Sequence, residues 1–383
     1  MRTLLGWSIF LFALALPHTG AARCPTGSAT GAFVQPGPFG VAERTLDLDD
    51  KSRPTPSHGD IPEKPDRTLT TEVWYPATPG GTSIVRDGPL ADGGPFPLVV
   101  NSPGLLDVRE GEAYYAEALA SRGYVVASLD FPVTGLRAGM QDVSDLANQP
   151  ADVSFVIDRL LALSNLRDGW LSRGVDRHRI GVAGLSLGGA TTLLVTYHPT
   201  LRDRRVRAAL SIAPAACFLT ERFYRTVRPP LLVLQGDQDL LLPLDMNGAL
   251  VFGRSRSPRT LVTLVDATHT AFSGLVTAPS TTSYDEIGCA AIASVVATGG
   301  NIVDGLGGVT SGIDGTGCAL PCQGPVPTNP PMQAGRQHLL TQAVVAAFFD
   351  ATFKHSHAAR CFLRHGLAGE NPDVRVSAHG PGR

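Results

Sequence analysis

The stretch that decides the fold is Gly-Leu-Ser-Leu-Gly-Gly at residues 184–189, with Ser186 at its centre. The apolar residues 179–183 before it indicate a buried strand, and the run 189–197 after it indicates a helix packed through small side chains. Between a strand and a helix, G-x-S-x-G forms a tight turn that exposes its serine. Glycines fit beside that serine because the turn leaves no room for side chains. The pattern predicts a nucleophilic Ser186, the alternative being a glycine-rich helix start with an incidental serine.

Apolar or alternating segments recur between helical patterns along the 383 residues. Strands are predicted at 69–75, 97–101, 124–129, 179–183, 207–213, 230–235 and 260–265, and helices at 110–122, 150–161, 189–197 and 337–354. Strands that alternate with helices at this spacing predict an α/β fold with a mostly parallel central sheet flanked by helices.

The order of these predicted strands and helices also indicates the domain organisation. We expect a single domain over 23–383, with an insertion at about 273–336 before the last helix and a polar tail at about 369–383. The insertion is long, rich in Gly, Thr and Pro, and contains three cysteines. Connections of this length are usually functional or disordered, so the insertion is interpreted either as a lid or pocket wall or as a plain surface excursion.

The first residues have the pattern of a secretory signal peptide. Arg2 is followed by an apolar run at 4–16 and then by small residues up to Ala22, the order typical of a cleavable signal. The apolar run is shorter than the ~20 residues that a membrane-spanning helix needs. We therefore expect residues 1–22 to be removed, and the mature protein to be secreted or periplasmic without stable membrane insertion.

Charge and cysteine content narrow the classes of partner and cofactor. A net charge of −2 gives no reason to expect a nucleic acid partner. An even number of cysteines in an exported chain suggests disulfides, whose pairing the sequence leaves open. These cysteines are Cys24, Cys217, Cys289, Cys318, Cys322 and Cys361. The pair at 318 and 322 could also suggest zinc, but no second pair with metal-ligand spacing accompanies it. We expect neither a metal nor an organic cofactor.

A serine nucleophile needs a base, normally a histidine that is held by a carboxylate. In the chain order associated with this turn, both partners follow the serine, each in a loop after a later strand. Asp239 follows the strand at 230–235, and His269 follows the strand at 260–265. Asp237 is the alternative acid, and either aspartate could instead cap a turn. His269 alone among the later histidines has the strand-then-loop setting.

Acyl transfer builds negative charge on a carbonyl oxygen, which two preorganised donors must stabilise. The backbone N–H of Leu187, next to the serine, is the first predicted donor. The turn after the strand at 97–101 offers the second, and we predict the N–H of Leu105. Pro103 has no N–H, and Gly104 lets the backbone come close. An ordinary Pro-Gly β-turn is the alternative interpretation of this segment.

Several stretches resemble bacterial α/β-hydrolases, namely residues 72–76, 98–104, 122–127, 151–158 and 181–190. The resemblance spans about 38–272 plus the last helix, and its nearest kin are the platelet-activating-factor acetylhydrolase and dienelactone-hydrolase-like group. The Ser-Pro-Gly turn is also shared with bacterial cutinase-like polyester hydrolases. The spacing from Gly236 through Asp239 to Pro243 is similar to the acid loop of these families, which implies that Asp239 is the catalytic carboxylate.

The resemblance implies an α/β-hydrolase fold and a secreted serine esterase that cleaves carboxylic esters through an acyl-enzyme. Dienelactone hydrolases use a cysteine nucleophile, against which Ser186 argues. Polyester hydrolases usually place an aromatic residue where this chain has Leu105. The alternatives are a lipase or phospholipid acetylhydrolase, a cutinase-like polyester hydrolase and, from a different class, a non-catalytic fold that binds an apolar ligand. The expected partner is a small-molecule or lipid-like ester, and no oligomeric state is predicted.

Overall fold

The computed structural model describes residues 24–25, 29–78, 83–298, 300–324, 326 and 329–380. The predicted signal peptide at 1–22 lies outside these residues. The strands are β1 (Gly40–Asp50), β2 (Arg67–Ala77), β3 (Val85–Arg86), β4 (Phe96–Ser102), β5 (Val125–Leu129), β6 (Val175–Leu185), β7 (Val206–Ile212), β8 (Leu231–Gly236), β9 (Arg259–Leu264) and β10 (Val374–His379).

The α-helices of the described residues are α1 (Thr30–Val34), α2 (Ala113–Ser121), α3 (Gln149–Asn165), α4 (Leu187–Tyr197), α5 (Gly248–Arg254), α6 (Asp285–Thr298), α7 (Ala334–Phe353), α8 (His357–Cys361) and α9 (Leu367–Glu370). Short 3-10 turns occur at Leu136–Ala138, Val143–Ala147, Phe223–Arg225, Leu244–Met246, Thr270–Phe272 and Gly308–Ser311, and a π-helical turn joins α8 to α9.

The strands form one sheet in the order β10-β9-β8-β7-β6-β4-β5-β2-β1-β3. Neighbours from β9 through to β5 are parallel, and β10 and β2 pair antiparallel at the two ends of this parallel block. β1 is antiparallel to β2 and parallel to the short β3. This mostly parallel sheet with flanking helices confirms the predicted fold class.

The core lies on both faces of the sheet. Along β4, Leu98 and Val100 belong to one apolar cluster, which also takes in the buried sides of α3 and α4. Val99, between them, belongs to the cluster on the other face, with α2 and α7. Successive side chains of a strand point to opposite faces. The continuous apolar run in the sequence therefore follows from helices covering both faces.

The parallel strands bring the predicted site residues to one edge of the sheet. Because β4, β6, β8 and β9 run in the same direction, their carboxyl ends meet at that edge. The loops that follow these four strands carry Leu105, Ser186, Asp239 and His269 respectively. The carboxyl edge of a parallel sheet is the usual place for a ligand site in α/β folds.

The structure differs from the sequence-based expectation near the C-terminus. Residues 369–383 were expected to be a polar tail, but Val374–His379 form β10, which pairs with β9. Only Val374 of this edge strand is buried. Its residues Val-Arg-Val-Ser-Ala-His do alternate between apolar and polar side chains, a strand signal that the sequence-based prediction did not use, and the strand joins the sheet by pairing with β9.

The insertion also contains a helix that the sequence pattern did not reveal. α6 extends from Asp285 to Thr298, inside the stretch that was interpreted as a Gly-, Thr- and Pro-rich connection. None of the described helices combines the length and the hydrophobicity that membrane crossing requires.

All six cysteines are paired in disulfides, as their even number suggested. Cys24 is joined to Cys361, which ties the segment before β1 to α8. Cys217, in the loop after β7, is joined to Cys318 of the insertion. Cys289 of α6 is joined to Cys322. Two of the three bridges therefore hold the insertion, one to the parallel-sheet domain and one to itself.

The bridge between Cys217 and Cys318 should stabilise the fold by constraining the unfolded chain. Its partners lie 101 residues apart. The chain-entropy relation gives about 4.7 kcal/mol for a loop of that order, within the range of about 2–5 kcal/mol that the loss of a native disulfide typically costs. We expect a Cys217→Ser/Cys318→Ser variant to lose roughly this much unfolding free energy in urea denaturation. An unchanged free energy of unfolding, in a variant with the other two bridges intact, would contradict the pairing.

Candidate active site

The backbone at Ser186 has the conformation of a sharp strand-to-helix turn. Its φ is 59° and its ψ is −117°, a region that costs a non-glycine residue about 1–3 kcal/mol. The Ser186 N–H donates to the carbonyl of Ile212 at 2.9 Å, and its carbonyl accepts from the N–H groups of Ala190 and Ala215, each at 3.1 Å. These hydrogen bonds to β7 and to the following segments hold the turn in place.

The glycines on either side of Ser186 are required by space. A Cβ on Gly184 would lie 2.3 Å from the carbonyl oxygen of Gly188. A Cβ on Gly188 would lie 1.9 Å from the carbonyl oxygen of Ser102, at the end of β4. Both distances are far below a van der Waals contact. The glycines therefore allow α4 to begin directly against the neighbouring strand, as the sequence motif predicts.

His269 and Asp239 meet at this edge of the sheet. The Nδ1 atom of His269 lies 2.9 Å from Oδ2 of Asp239, and both residues are buried. Because this contact occupies Nδ1, Nε2 is the imidazole nitrogen that remains for a partner in the cleft. Ser186 and His269 both line that cleft, so the structure brings the predicted nucleophile, base and acid together.

The Asp239 carboxylate is surrounded by hydrogen-bond donors. Besides His269, the N–H of Leu242 donates to Oδ1 at 2.7 Å and the side-chain amide of Gln235 donates to Oδ2 at 3.0 Å. A protonated carboxyl group would need an acceptor for its own hydrogen, whereas an ionised one accepts from every donor here. The arrangement therefore favours the carboxylate form, and Gln235 is a contributor that the sequence did not identify.

Asp237, the alternative acid, has a different environment. Its Oδ1 accepts from the N–H of Asp266 at 2.8 Å, and its Oδ2 accepts from the guanidinium of Arg375 at 3.2 Å. These contacts join the loop after β8 to the turn after β9 and to β10. Asp237 is thus a turn-holding aspartate, and Asp239 is the one that contacts His269.

The segment after β4 lies directly against Ser186. A Cβ on Gly104 would be 3.3 Å from the Cβ of Ser186, and Leu105 lines the cleft beside it. The N–H of the next residue, Leu106, already donates to the carbonyl of Thr134 at 3.0 Å. Leu187 is the first residue of α4, where a backbone N–H has no partner within the helix. Leu105 and Leu187, the two predicted oxyanion donors, therefore both lie beside Ser186 and line the same cleft.

Two buried carboxyl groups support the segment after β4. Asp107 accepts from the N–H of Val108, and Glu112 accepts from the side-chain amide of Asn101, both at 2.8 Å. Burial raises the pKa of Asp107 and raises that of Glu112 well above its usual range, where the charge of Asp107 adds to the effect. This pair was not predicted, because no sequence motif identifies two acidic residues that a turn brings into contact.

The pKa values of the acid and the base reflect opposing influences. Burial by itself lowers the pKa of His269, but the charge of Asp239 and its hydrogen bond raise it above the usual value. Burial raises the pKa of Asp239, whereas His269 lowers it. Because the donors around Asp239 favour its ionised form, the direction that the geometry supports most firmly is the raised pKa of His269.

The cleft has a volume of about 490 Å³ and is lined mainly by aliphatic side chains. The residues around Ser186, the segment after β4 and His269 line it, together with residues of the insertion. The insertion residues that line it are Ser273, Leu275, Val276, Ile287, Gly288, Ala291, Ile292, Val295, Val296, Gly300, Asn301, Ile302, Leu320 and Pro321. The volume lies within the range of about 300–1,000 Å³ that is usual for small-molecule sites.

The start of α6 carries a signal that the sequence analysis missed. Ser283 and Glu286 have the S-x-x-E spacing of a capping box, and the Ser283 hydroxyl accepts from the N–H of Asp285 at 3.3 Å. That spacing could have located both α6 and its buried first residue. Within the described ranges, no group of His, Cys, Asp and Glu side chains is arranged to hold a metal ion.

Comparison with known proteins extends this description. A family model described as PET hydrolase-like matches residues 52–283. A bis(hydroxyethyl) terephthalate hydrolase of Streptomyces coelicolor is 28% identical over 193 residues, which are 50% of this chain and 55% of the relative. Cutinase est1 of Thermobifida alba is 25% identical over 181 residues, which are 46% of this chain and 54% of the relative. The match thus spans about half the length of these curated relatives.

Among solved structures, a ferulic acid esterase from Streptomyces cinnamoneus superposes with a TM-score of 0.55 at 23% identity. The superposition covers 83% of this chain and 91% of that structure. At this identity the likeness concerns the fold, and it agrees with the α/β-hydrolase architecture expected from the sequence.

The electrostatic effect of Asp239 can be tested on His269 itself. An Asp239→Asn variant removes the negative charge that raises the pKa of His269, so we expect this pKa to fall as burial becomes the dominant influence. The pKa is measured by NMR titration of the imidazole resonances. Asp237→Asn, which removes the same charge two residues away, should leave the pKa of His269 nearly unchanged. The reverse pattern would assign the acid to Asp237.

Proposed function

Because the chain belongs to the PET hydrolase-like family, we propose that it is a serine hydrolase that cleaves carboxylic esters through an acyl-enzyme intermediate. The observation that carries the proposal is the contact of His269 with Asp239 beside an aliphatic cleft that Ser186 and His269 both line. The curated relatives are named as a terephthalate ester hydrolase and a cutinase, which agrees with ester hydrolysis.

In the first half-reaction, Ser186 Oγ attacks the ester carbonyl carbon while His269 Nε2 takes the hydroxyl proton. The Asp239 carboxylate holds Nδ1 as a donor and stabilises the imidazolium that forms. The tetrahedral intermediate collapses as its bond to the alkoxy oxygen breaks, and His269 returns the proton to the departing alcohol. The acyl group is then esterified to Ser186.

In the second half-reaction, a water molecule takes the place of the alcohol. His269 accepts a proton from this water as its oxygen attacks the acyl carbon, and the bond to Ser186 Oγ breaks as the proton returns to the serine. The backbone N–H groups of Leu187 and Leu105 stabilise the oxyanion in both steps. One such donor is typically worth about 10²–10³-fold in turnover.

The cleft indicates the class of substrate. Its walls are aliphatic, and buried side chains such as Ile292 and Val295 of α6 give it a closed apolar side. Burying a methylene group contributes roughly 0.8 kcal/mol, so an acyl chain that lies against α6 gains affinity with each carbon until the wall is reached. We propose small esters with an aliphatic acyl group as the principal substrates.

Polyester hydrolysis is the second candidate, and the family match favours it together with the rim of the cleft. Leu275, Ile287 and Leu320 line the cleft and are 57%, 67% and 56% exposed, so an apolar surface surrounds its mouth. An exposed apolar rim is suited to contact with a hydrophobic solid or an aggregated lipid. Release of soluble products from a polyester film would support this candidate.

The cellular context belongs to the same proposal. Three disulfides suit a protein that works in an oxidising, extracellular environment. We infer that residues 1–22 act as a cleaved export signal and that residues 23–383 form one hydrolase domain with the insertion at about 273–336. The alternative of a non-catalytic apolar binder would gain support only from a complete lack of ester turnover.

Removal of the Ser186 hydroxyl tests the nucleophile. The wild type should hydrolyse p-nitrophenyl esters, and Ser186→Ala should lower kcat by more than about 10⁴-fold, as expected when a triad member is lost. Ser377→Ala, at an exposed position of β10, serves as the control and should retain wild-type turnover. Hydrolysis that survives Ser186→Ala would exclude this serine as the nucleophile.

A larger side chain on α6 tests the acyl pocket. Val295 is 5% exposed and lines the cleft, so Val295→Phe should shorten the space available to the acyl chain. Relative to the wild type, we expect kcat/KM to fall by about 10-fold or more for octanoate esters but little for acetate esters.

The matched control for this variant is Val309→Phe, because Val309 belongs to the same insertion but is 70% exposed. It should leave the chain-length profile of the p-nitrophenyl ester series unchanged. An equal loss on acetate and octanoate esters in Val295→Phe would place the acyl chain elsewhere.

A further inference from the structure

Asp285 is a fully buried carboxylate that none of the steps above uses. It is the first residue of α6 and has no exposed surface. An acidic residue at this position often hydrogen-bonds to the N–H groups of its own helix. Here Ser283 accepts from the first N–H of α6, and the Asp285 carboxylate points away from its helix, towards the loops after β8 and β9.

The carboxylate of Asp285 accepts three hydrogen bonds from the backbone of those loops. The N–H groups of Leu240 and His269 donate to Oδ2 at 2.8 and 3.1 Å, and the N–H of Thr270 donates to Oδ1 at 2.7 Å. Leu240 directly follows Asp239. A single side chain from the insertion thus binds the residue next to the acid and the main chain of the base itself.

α6 also packs closely against both loops at Gly288, which lies one turn after Asp285. A Cβ on Gly288 would be 2.3 Å from the Thr270 hydroxyl oxygen and 3.3 Å from the Leu241 side chain. A larger residue here would require the Thr270 side chain or the helix to shift. The close approach is therefore built into the sequence of α6, independently of the hydrogen bonds of Asp285.

The other end of the insertion holds the same peptide segment. The carbonyl of Leu240 accepts from the N–H of Cys322 at 3.2 Å, and Cys322 is joined by its disulfide to Cys289 of α6. Both backbone polar groups of Leu240 are thus bound by the insertion, and the disulfide closes the ring. The loop that presents Asp239 is held from two sides by one covalently linked unit.

We propose that Asp285 is a positioning residue of the esterase site, which fixes the backbone that carries Asp239 relative to the backbone that carries His269. This inference rests on the proposed function, and it makes the insertion part of the catalytic framework as well as a wall of the cleft. Charge-assisted hydrogen bonds of this kind are short and directional. A site in which they are lost would let the acid and base drift apart by a fraction of an ångström or more.

Asp285 also acts on the imidazole through its charge. The two carboxylates that raise the pKa of His269 against the effect of burial are Asp239 and Asp285. Other titratable groups also lie around this loop. Asp107 lines the cleft, the Tyr114 hydroxyl donates to the Phe272 carbonyl at 3.1 Å, His338 Nε2 lies 3.1 Å from the Ser273 carbonyl, and Asp266 lies in the turn before His269. Removal of the Asp285 charge should therefore lower the pKa of His269 while Asp239 remains.

The experiment compares Asp285→Asn with Glu286→Gln in the full-length mature protein. Glu286 is the next residue of the same helix and is exposed, so its variant loses the same charge without touching the loops. In p-nitrophenyl ester hydrolysis we expect Asp285→Asn to lower kcat by about 10²-fold, the cost of a misplacement near 1 Å. KM should stay close to the wild-type value, because Asp285 does not line the cleft.

The pH profile separates positioning from a general loss of structure. Because a neutral His269 is the base, kcat/KM falls as the pH drops through its pKa, and Asp285→Asn should move this acid limb to lower pH. Glu286→Gln should keep the wild-type kcat and acid limb. A wild-type kcat and pH profile in Asp285→Asn, or a loss confined to KM, would overturn the proposal.

If Asp285→Asn does not fold, amide hydrogen exchange on the wild type tests whether Asp285 holds the two loops. The amides of Leu240, His269 and Thr270 should exchange slowly, whereas exchange at the rate of an unstructured peptide would overturn the proposal. These outcomes are distinct from a failure of the proposed function. In that case the wild type would turn over no ester, although the three amides were still protected.

Discussion

The positive φ of 59° at Ser186 is the constraint on which the rest of the site depends. This conformation costs about 1–3 kcal/mol at a non-glycine residue, and it persists because hydrogen bonds to Ile212, Ala190 and Ala215 hold the turn. It also requires α4 to start in contact with the end of β4, which the glycine at 188 permits. The backbone consequently places Ser186 and the segment after β4 side by side, before any side chain contributes.

Parallel strand order extends this local constraint to the acid and the base. β8 lies two strands from β6 and β9 lies next to β8, so the loops that follow them reach the same edge as Ser186. The hydrogen bond between His269 Nδ1 and Asp239 Oδ2 can form because both loops reach this edge of the sheet. The same order explains why the spacing of a few short apolar strands was enough to locate three residues that are far apart in the chain.

The parts that the sequence predicted well are those with a repeating or local signature. The parallel strands and the helices that cover them were predicted from apolar periodicity. The turn at Ser186 was predicted from a motif whose glycines have no room for side chains. By contrast, β10 is short and exposed along most of its length, and its brief alternation of apolar and polar residues was interpreted as part of a polar tail. The residues alone did not decide between Asp239 and Asp237, because the decision depends on which carboxylate contacts His269. That contact is visible only in the structure.

The insertion shows the other limit of sequence reasoning. Its contacts with the site run from the Asp285 carboxylate and the Cys322 N–H to main-chain groups, and a main-chain partner has no residue-type signature. The disulfide pairing was likewise open, since six cysteines can pair in many ways. The function of such a segment is visible only in three dimensions, where it both walls the cleft and holds the loops of the acid and base.

The central claim is that catalysis proceeds through an acyl group on Ser186. Rapid acid quenching during turnover of a p-nitrophenyl ester, followed by trypsin digestion and mass spectrometry, tests it directly. We expect the acyl mass on the tryptic peptide of residues 180–202, located at Ser186, and its absence in Ser186→Ala. An acyl group on any other residue, or steady ester turnover in Ser186→Ala, would rule out an acyl-enzyme on this serine.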